Sequence, residues 1–87
     1  MSEEKIGEVV GYFGKIGVAA IKITNGSLHT GDIVHIKGHT TDFQQKVGSM
    51  QVEHKEVEVA KPGDDVGIKV NEKTRDHDTV YKIPASD

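Results

Sequence analysis

Apolar side chains recur at alternate positions along this chain, in short runs punctuated by glycine-rich turns. Such alternation puts branched residues on one face of a strand and polar residues on the other. From Lys5 to Phe13, one face carries Gly7, Val9, Gly11 and Phe13, and the other Ile6, Glu8, Val10 and Tyr12. Alternate glycines let such a strand bend or admit a second backbone closely. Gly14-Lys15 suits a two-residue hairpin turn, and Ile16 to Thr24 then reads as the returning strand, with Ala19, Ile21 and Ile23 inward. Asn25-Gly26 is a further turn, Leu28 closes one end of the core, and Ile33 to Lys37 is a third strand with Val34 and Ile36 inward.

Gly38 to Asp42 reads as a polar loop. Phe43 to Glu53 does not alternate cleanly, and one strand bulged near Gly48-Ser49 accounts for its change of phase. His54-Lys55-Glu56 is a bend, and Val57 and Val59 share a face of the next extended stretch. Lys61-Pro62-Gly63-Asp64 is a turn, with proline at its favoured first central position. Val66 to Val70 is a clean strand, residues 71–78 a solvated excursion, and Thr79 to Ile83 the closing strand before Pro84 ends pairing. The domain organisation expected is a folded unit over 5–83, with flexible ends at 1–4 and 84–87. The short strands and Val/Ile-rich apolar set predict an all-β fold, and a small closed barrel removes its exposed edges.

One phrase occurs twice. Gly31-Asp32-Ile33-Val34-His35-Ile36-Lys37 and Gly63-Asp64-Asp65-Val66-Gly67-Ile68-Lys69 agree at five of seven positions, each with an apolar residue three before its glycine, Leu28 or Ala60. Glycine supplies a positive φ, aspartate bonds nearby amides, and Val-x-Ile begins a strand. Two short matches with different flanks are reuse of a turn, not a solenoid.

Composition narrows the chemistry. With no cysteine, disulfides, thiol nucleophiles and thiolate metal sites are excluded. No apolar run reaches the ~20 residues a membrane helix needs, and the polar, acidic start at Met1-Ser2-Glu3-Glu4 is unlike a secretory signal, so a cytoplasmic protein without membrane contact is expected. Net charge is −3: five Lys balance five acids in residues 1–50, whereas six basic groups face nine acids in 51–87. That balance argues against non-specific grip on a nucleic-acid backbone, though not against a few-lysine contact with shaped RNA.

The five histidines, at 29, 35, 39, 54 and 77, have no metal-ligand spacing, so no metal is expected. Asp64-Asp65 lies in a turn and Glu56/Glu58 on a solvent face, and neither pair comes with a nucleophile. Gly11 to Lys15 faintly echoes a phosphate loop, but Ile16 stands where Ser or Thr would bind magnesium and no helix follows. Catalysis, nucleotide binding and a cofactor are therefore not expected. Lys37 to Lys46 gathers Lys37, His39, Thr40, Thr41, Gln44, Gln45 and Lys46 around one aromatic, Phe43. Those groups grip RNA phosphates and stack bases, or else form a polar loop that Phe43 anchors to the core.

The Leu28-x-x-Gly31-Asp32-x-Val34-x-Ile36 string, after an Ile-Gly-Val-Ala-Ala-Ile-Lys hairpin, resembles the second domain of translational GTPases. So does Ala60-x-x-Gly63-Asp64-x-Val66-Gly67-Ile68, in the same order and spacing, and the resemblance spans residues 5–83. It implies a six-stranded Greek-key-like β-barrel and contact with RNA, the ribosome or a protein of the translation machinery. In elongation factor Tu the second loop helps line the aminoacyl pocket with an acid followed by Asn; here those positions are Asp64 and Asp65, which adds a negative charge. The resemblance implies Asp64, Asp65, Val66 and Gly67 as binding residues beside the Lys37–Lys46 stretch. The expected function is a non-catalytic, translation-factor-like domain binding RNA or the ribosome. The alternative is a protein-interaction or accessory module working with a separately encoded enzyme.

Overall fold

The computed structural model describes residues 3–83, which form ten strands and no helix. The expected flexibility of residues 1–2 and 84–87 lies outside the described residues. β1 (Glu4–Phe13) and β2 (Val18–Ile23) make the expected hairpin. Its connection is longer than two residues: Ile16 and Gly17 both donate to the Phe13 carbonyl, at 3.3 and 2.9 Å, and Gly17 takes a positive φ. Ile16 is thus an exposed turn residue, not the start of a strand. Along β1 the pairing slips between Lys5 and Gly7 and again between Val9 and Gly11. These bulges bring both Ile6 and Val9 into the core, which strict alternation would forbid.

β3 (Leu28–His29) pairs with β8 (Val59–Ala60) as a separate ribbon. The main sheet adds β4 (Ile33–Lys37), β5 (Asp42–Lys46), β6 (Met50–Val52), β7 (Lys55–Val57), β9 (Asp65–Lys69) and β10 (Thr79–Ile83). Its order is β5-β4-β10-β1-β2-β9-β6-β7, antiparallel throughout. All-β is therefore correct, but among the described residues no ladder joins β5 to β7, and the six closed strands expected are instead an open run of eight. A side chain instead ties β5 to the end of β9. Gln45 Nε2 donates to the Lys69 carbonyl at 2.7 Å, and Gln45 Oε1 accepts from the Asn71 amide at 2.7 Å.

Gln45 also accounts for the difference between the one bulged strand expected over Phe43 to Glu53 and the two strands found there. Phe43, Gln45 and Val47 alternate inward, so the phase never shifts before Gly48. The chain then crosses from one side of the sheet order to the other, and β6 starts afresh at Met50. The bend falls at Glu53-His54, both with positive φ, and Lys55–Val57 is strand. The core holds sixteen buried apolar residues, eleven of them Val or Ile, each worth about 1.5–3 kcal/mol when fully buried.

The repeated phrase folds as one device, and the structure contains a third copy. At residues 29–32, 61–64 and 75–78, the first amide donates to the fourth residue's carboxylate: His29 to Asp32 at 2.8 Å, Lys61 to Asp64 at 2.9 Å, Arg75 to Asp78 at 2.9 Å. The aspartate's own amide returns a bond to the first carbonyl, at 3.1, 3.0 and 3.1 Å. The third residue is left-handed each time: Gly31 and Gly63 at φ 94°, His77 at φ 74°. Its amide donates to Val47, Ile23 or Val9 at 2.8 Å, and that residue's amide donates back to the aspartate carbonyl. Two residues beyond each aspartate, Val34, Val66 and Val80 are buried. Residues 71–78 are therefore not a free excursion, since Thr74 and Asp78 are buried. Thr74 stands where Leu28 and Ala60 stand in the other copies, and its Oγ1 has no hydrogen-bond partner.

A backbone bond to a carboxylate contributes about 1.5–3 kcal/mol when shielded. Asp32→Ala and Asp64→Ala are expected to cost about 1–2 kcal/mol in urea unfolding, and Asp78→Ala, at the buried copy, about 2–3 kcal/mol. His77→Gly should be neutral or stabilising by up to about 1 kcal/mol, because it removes left-handed strain but adds unfolded-state entropy.

Candidate functional site

The outward face of β1, β2, β9 and β6 is unusually bare. Register places Gly11 opposite Ala20, Ala20 opposite Gly67, and Gly67 opposite Gln51, so three small residues lie in line across the sheet. Around this floor is a cleft of about 360 Å³ lined by Phe13, Ile16, Val18 and Ala20 on one side and by Gln51, Glu53, His54, Asp65, Val66 and Gly67 on the other. Phe13 and Ile16, at the tip of the first hairpin, are 56% and 63% exposed. Two large apolar side chains open to water beside one cleft make this face the candidate contact surface. The cleft is apolar along the hairpin and acidic along the β6–β7 turn.

Of the residues expected in the second loop, Asp65, Val66 and Gly67 line this cleft, whereas Asp64 is committed to its turn. The Lys37–Lys46 stretch lies elsewhere, on β4 and β5 at the other edge of the sheet. Within it Thr41 and Gln45 are buried, and Gln45 spends both amide atoms on the backbone of Lys69 and Asn71. Phe43 is in the core, as an anchor. Lys37, His39, Thr40, Gln44 and Lys46 remain at the surface, with Lys37 facing Asp42 across the strands. Phe13, Ile16, Val18, Ala20, Gln51, Glu53 and His54 were not singled out from sequence. Their one legible signal was two large apolar residues flanking the Gly14-Lys15 turn, where polar ones are usual.

A second cluster sits on β4. His35 Nε2 is 2.5 Å from Asp42 Oδ1, and His35 Nδ1 is 2.9 Å from both Glu3 carboxylate oxygens. The ring is only 13% exposed and tilts against Tyr81, with centroids 6.1 Å apart. A neutral imidazole has one N–H to offer, so two carboxylates on its two nitrogens call for the imidazolium. The hydrogen bond to Asp42 is the main cause that raises the His35 pKa above 6.5; partial burial opposes it, and Glu3 adds to it. The same bond lowers the Asp42 pKa. With both nitrogens engaged, His35 has no free lone pair to serve as a base. Among the described residues no group of three or more His, Cys, Asp or Glu is placed to hold a metal ion, and no helix could cross a membrane.

Comparison with known proteins gives this geometry a context. The family described as Elongation factor Tu domain 2 matches residues 17–80. An uncharacterized protease of Methanocaldococcus jannaschii is 44% identical over 80 residues, which is 91% of this chain and 19% of that protein. A collagenase of Porphyromonas gingivalis is 40% identical over 79 residues, 90% of this chain and 22% of the collagenase. The chain thus spans about a fifth of the length of these curated relatives. The crystal structure of the C-terminal domain of a Geobacillus thermoleovorans protein classed as a U32 peptidase superposes with a TM-score of 0.85 at 26% identity, covering 91% of this chain and 99% of that one.

These relatives overturn the expectation of RNA, ribosome and translation-machinery binding, since they are named as proteases and a collagenase. The structure supplies a physical reason in the same direction. The aromatic meant to stack bases, Phe43, is in the core, and Gln45 is not free to bond a ligand. What the sequence resemblance identified correctly is the fold family.

The His35 cluster makes stability pH-dependent. A raised histidine pKa contributes stability that is full below about pH 6.5 and fades as pH rises through the folded value. The lowered Asp42 pKa contributes above about 3.8 and fades as pH falls through its folded value. The clamp is therefore strongest between about pH 4 and pH 6.5. Thermal melts of His35→Gln should lose most of the wild-type fall in Tm between pH 5.5 and pH 8.5.

Proposed function

We propose that this chain, which belongs to the elongation factor Tu domain 2 family, is a non-catalytic accessory module that binds a protein and works with a peptidase. The observation that carries this reading is the match to a complete C-terminal domain of a U32 peptidase, a part that adjoins an enzyme. The proportion of the curated proteases that the chain spans, about a fifth, fits an appended domain better than a catalytic one. The open cleft between the first hairpin and the β6–β7 turn gives such a module a place to hold a partner or its substrate.

Residues 5–83 act here as a single binding unit, with the cleft as its working face. Asp65, Val66 and Gly67 belong to that face. Lys37, His39, Thr40, Gln44 and Lys46, on the far sheet edge, form a polar surface available to the same partner. The two relatives described as collagenase and protease suggest an extended polypeptide as the material handled.

The full chain, used as bait in nuclease-treated extract from its own source, should retain one protein in near-equal amount, identified by mass spectrometry as a peptidase. Phe13→Ser should reduce that retention at least tenfold without altering the fold. Purified chain alone should release no peptides from gelatin or casein. Retention that disappears with nuclease, or hydrolysis by the chain alone, would overturn the reading.

A further inference from the structure

We infer that the cleft beside the β6–β7 turn receives an arginine or lysine side chain presented by an extended segment of the protein partner. The inference rests on the protein-binding reading above and names the chemistry of its ligand. The hairpin wall of Phe13, Ile16 and Val18 is apolar, and the opposite wall ends in the carboxylates of Glu53 and Asp65. A long aliphatic stem with a cation at its end matches both halves. Its methylenes cover the apolar wall while the head group stays at the acidic rim. A guanidinium can bond carboxylates in pairs and lie against an aromatic face, which Phe13 offers. No lysine or arginine lines the cleft to compete for that place.

Among the described residues, both carboxylates border the cleft without a counter-charge. The β6–β9 ladder ends with Val52 opposite Val66, so Glu53, in the β6–β7 turn, and Asp65, on β9, each stand one residue beyond its last pair. Neither has an ion-pair partner among the described residues. Lys22 lies opposite Asp65 on the other side of β9 without pairing with it. Glu53 and His54 also occupy both left-handed positions of a two-residue hairpin turn, at φ 52° and 65°, where Asn-Gly is the unstrained choice. A side chain at either position strains the backbone, which glycine would not. Two carboxylates without an ion-pair partner and a strained turn meet at one rim, and a bound cation supplies the missing counter-charge.

The test is a titration of isotope-labelled full chain with acetyl-Ala-Leu-Arg-Leu-Ala-amide, with its citrulline counterpart and with its glutamate counterpart. The arginine peptide should bind at least tenfold more tightly than the citrulline one, with amide shifts at Phe13, Ile16, Gln51 to His54 and Asp65 to Gly67. The glutamate peptide should not bind. The E53Q/D65N double variant should bring arginine binding to the citrulline level. Glu53→Gly supplies a variant that relaxes the turn, so it should melt at a higher temperature while losing arginine preference. Equal binding of arginine and citrulline peptides, unchanged binding by E53Q/D65N, or shifts confined to the Lys37–Lys46 edge would overturn the inference. So would the same shifts produced by calcium or zinc at micromolar concentration. If the bait still retains a peptidase while arginine and citrulline bind alike, the cationic ligand fails and the accessory-module reading stands.

Discussion

The fold depends on one interaction, the aspartate that accepts a hydrogen bond from the amide three residues before it and returns one through its own amide. The turn it closes forces the intervening residue into the left-handed region, and that residue's amide is then aimed at a neighbouring strand. Each of the three turns thereby starts a strand, β4, β9 or β10, and at the same time sets its register against a buried Val or Ile. In a chain with little aromatic bulk, register is the quantity that must be fixed. A slip of one residue would put every Val and Ile on the wrong face.

Two of the three turns could be read from the sequence because glycine occupies the left-handed position and an apolar residue precedes it. The third was hidden by two substitutions. His77 takes the strained position that glycine would have marked, and Thr74 replaces the apolar residue, leaving a buried hydroxyl without a partner. A charged, polar run therefore looked like a loop in solvent while its backbone was as constrained as the other two. Gln45 misled in the same way. An inward amide between Phe43 and Val47 breaks an apolar pattern, yet here it bonds the backbone at the end of β9 through both of its polar atoms. The alternation of Ala19, Ile21 and Ile23, of Val34 and Ile36, and of Val66 and Ile68 was fully legible because those strands have one wet face and one dry one.

The candidate site was less legible for a structural reason. Its walls come from four strands, and its floor from small residues whose proximity exists only once β1, β2, β9 and β6 are aligned. Periodicity assigns Ala20 and Gly67 to the solvent face, which is correct and uninformative, and it leaves Gly11 on the face of the buried Val9, because the bulge between them has no sequence signal of its own. In the polar stretch Lys37–Lys46 side-chain chemistry points to a ligand, but the strand decides which side chains reach the surface. Half of its appeal vanished when Phe43 and Gln45 turned inward. The same limit explains why the fold family was correctly identified while the inferred partner was not: the matching residues are the turns and core strands that any member needs, whatever it binds.

The turn also shows how such a scaffold separates fold from function. The aspartate is fixed by its two hydrogen bonds, and the valine two residues on is fixed by the core. The residue between them points away from the core and answers to neither. In the three copies it is Ile33, Asp65 and Thr79, which are apolar, charged and hydroxylic. Three equivalent backbone positions thus present three different chemistries on one framework. Only the second faces the small-residue floor of the cleft, where a side chain can reach a ligand. Asp65 is therefore free of structural duty at the very place where its charge has something to act on.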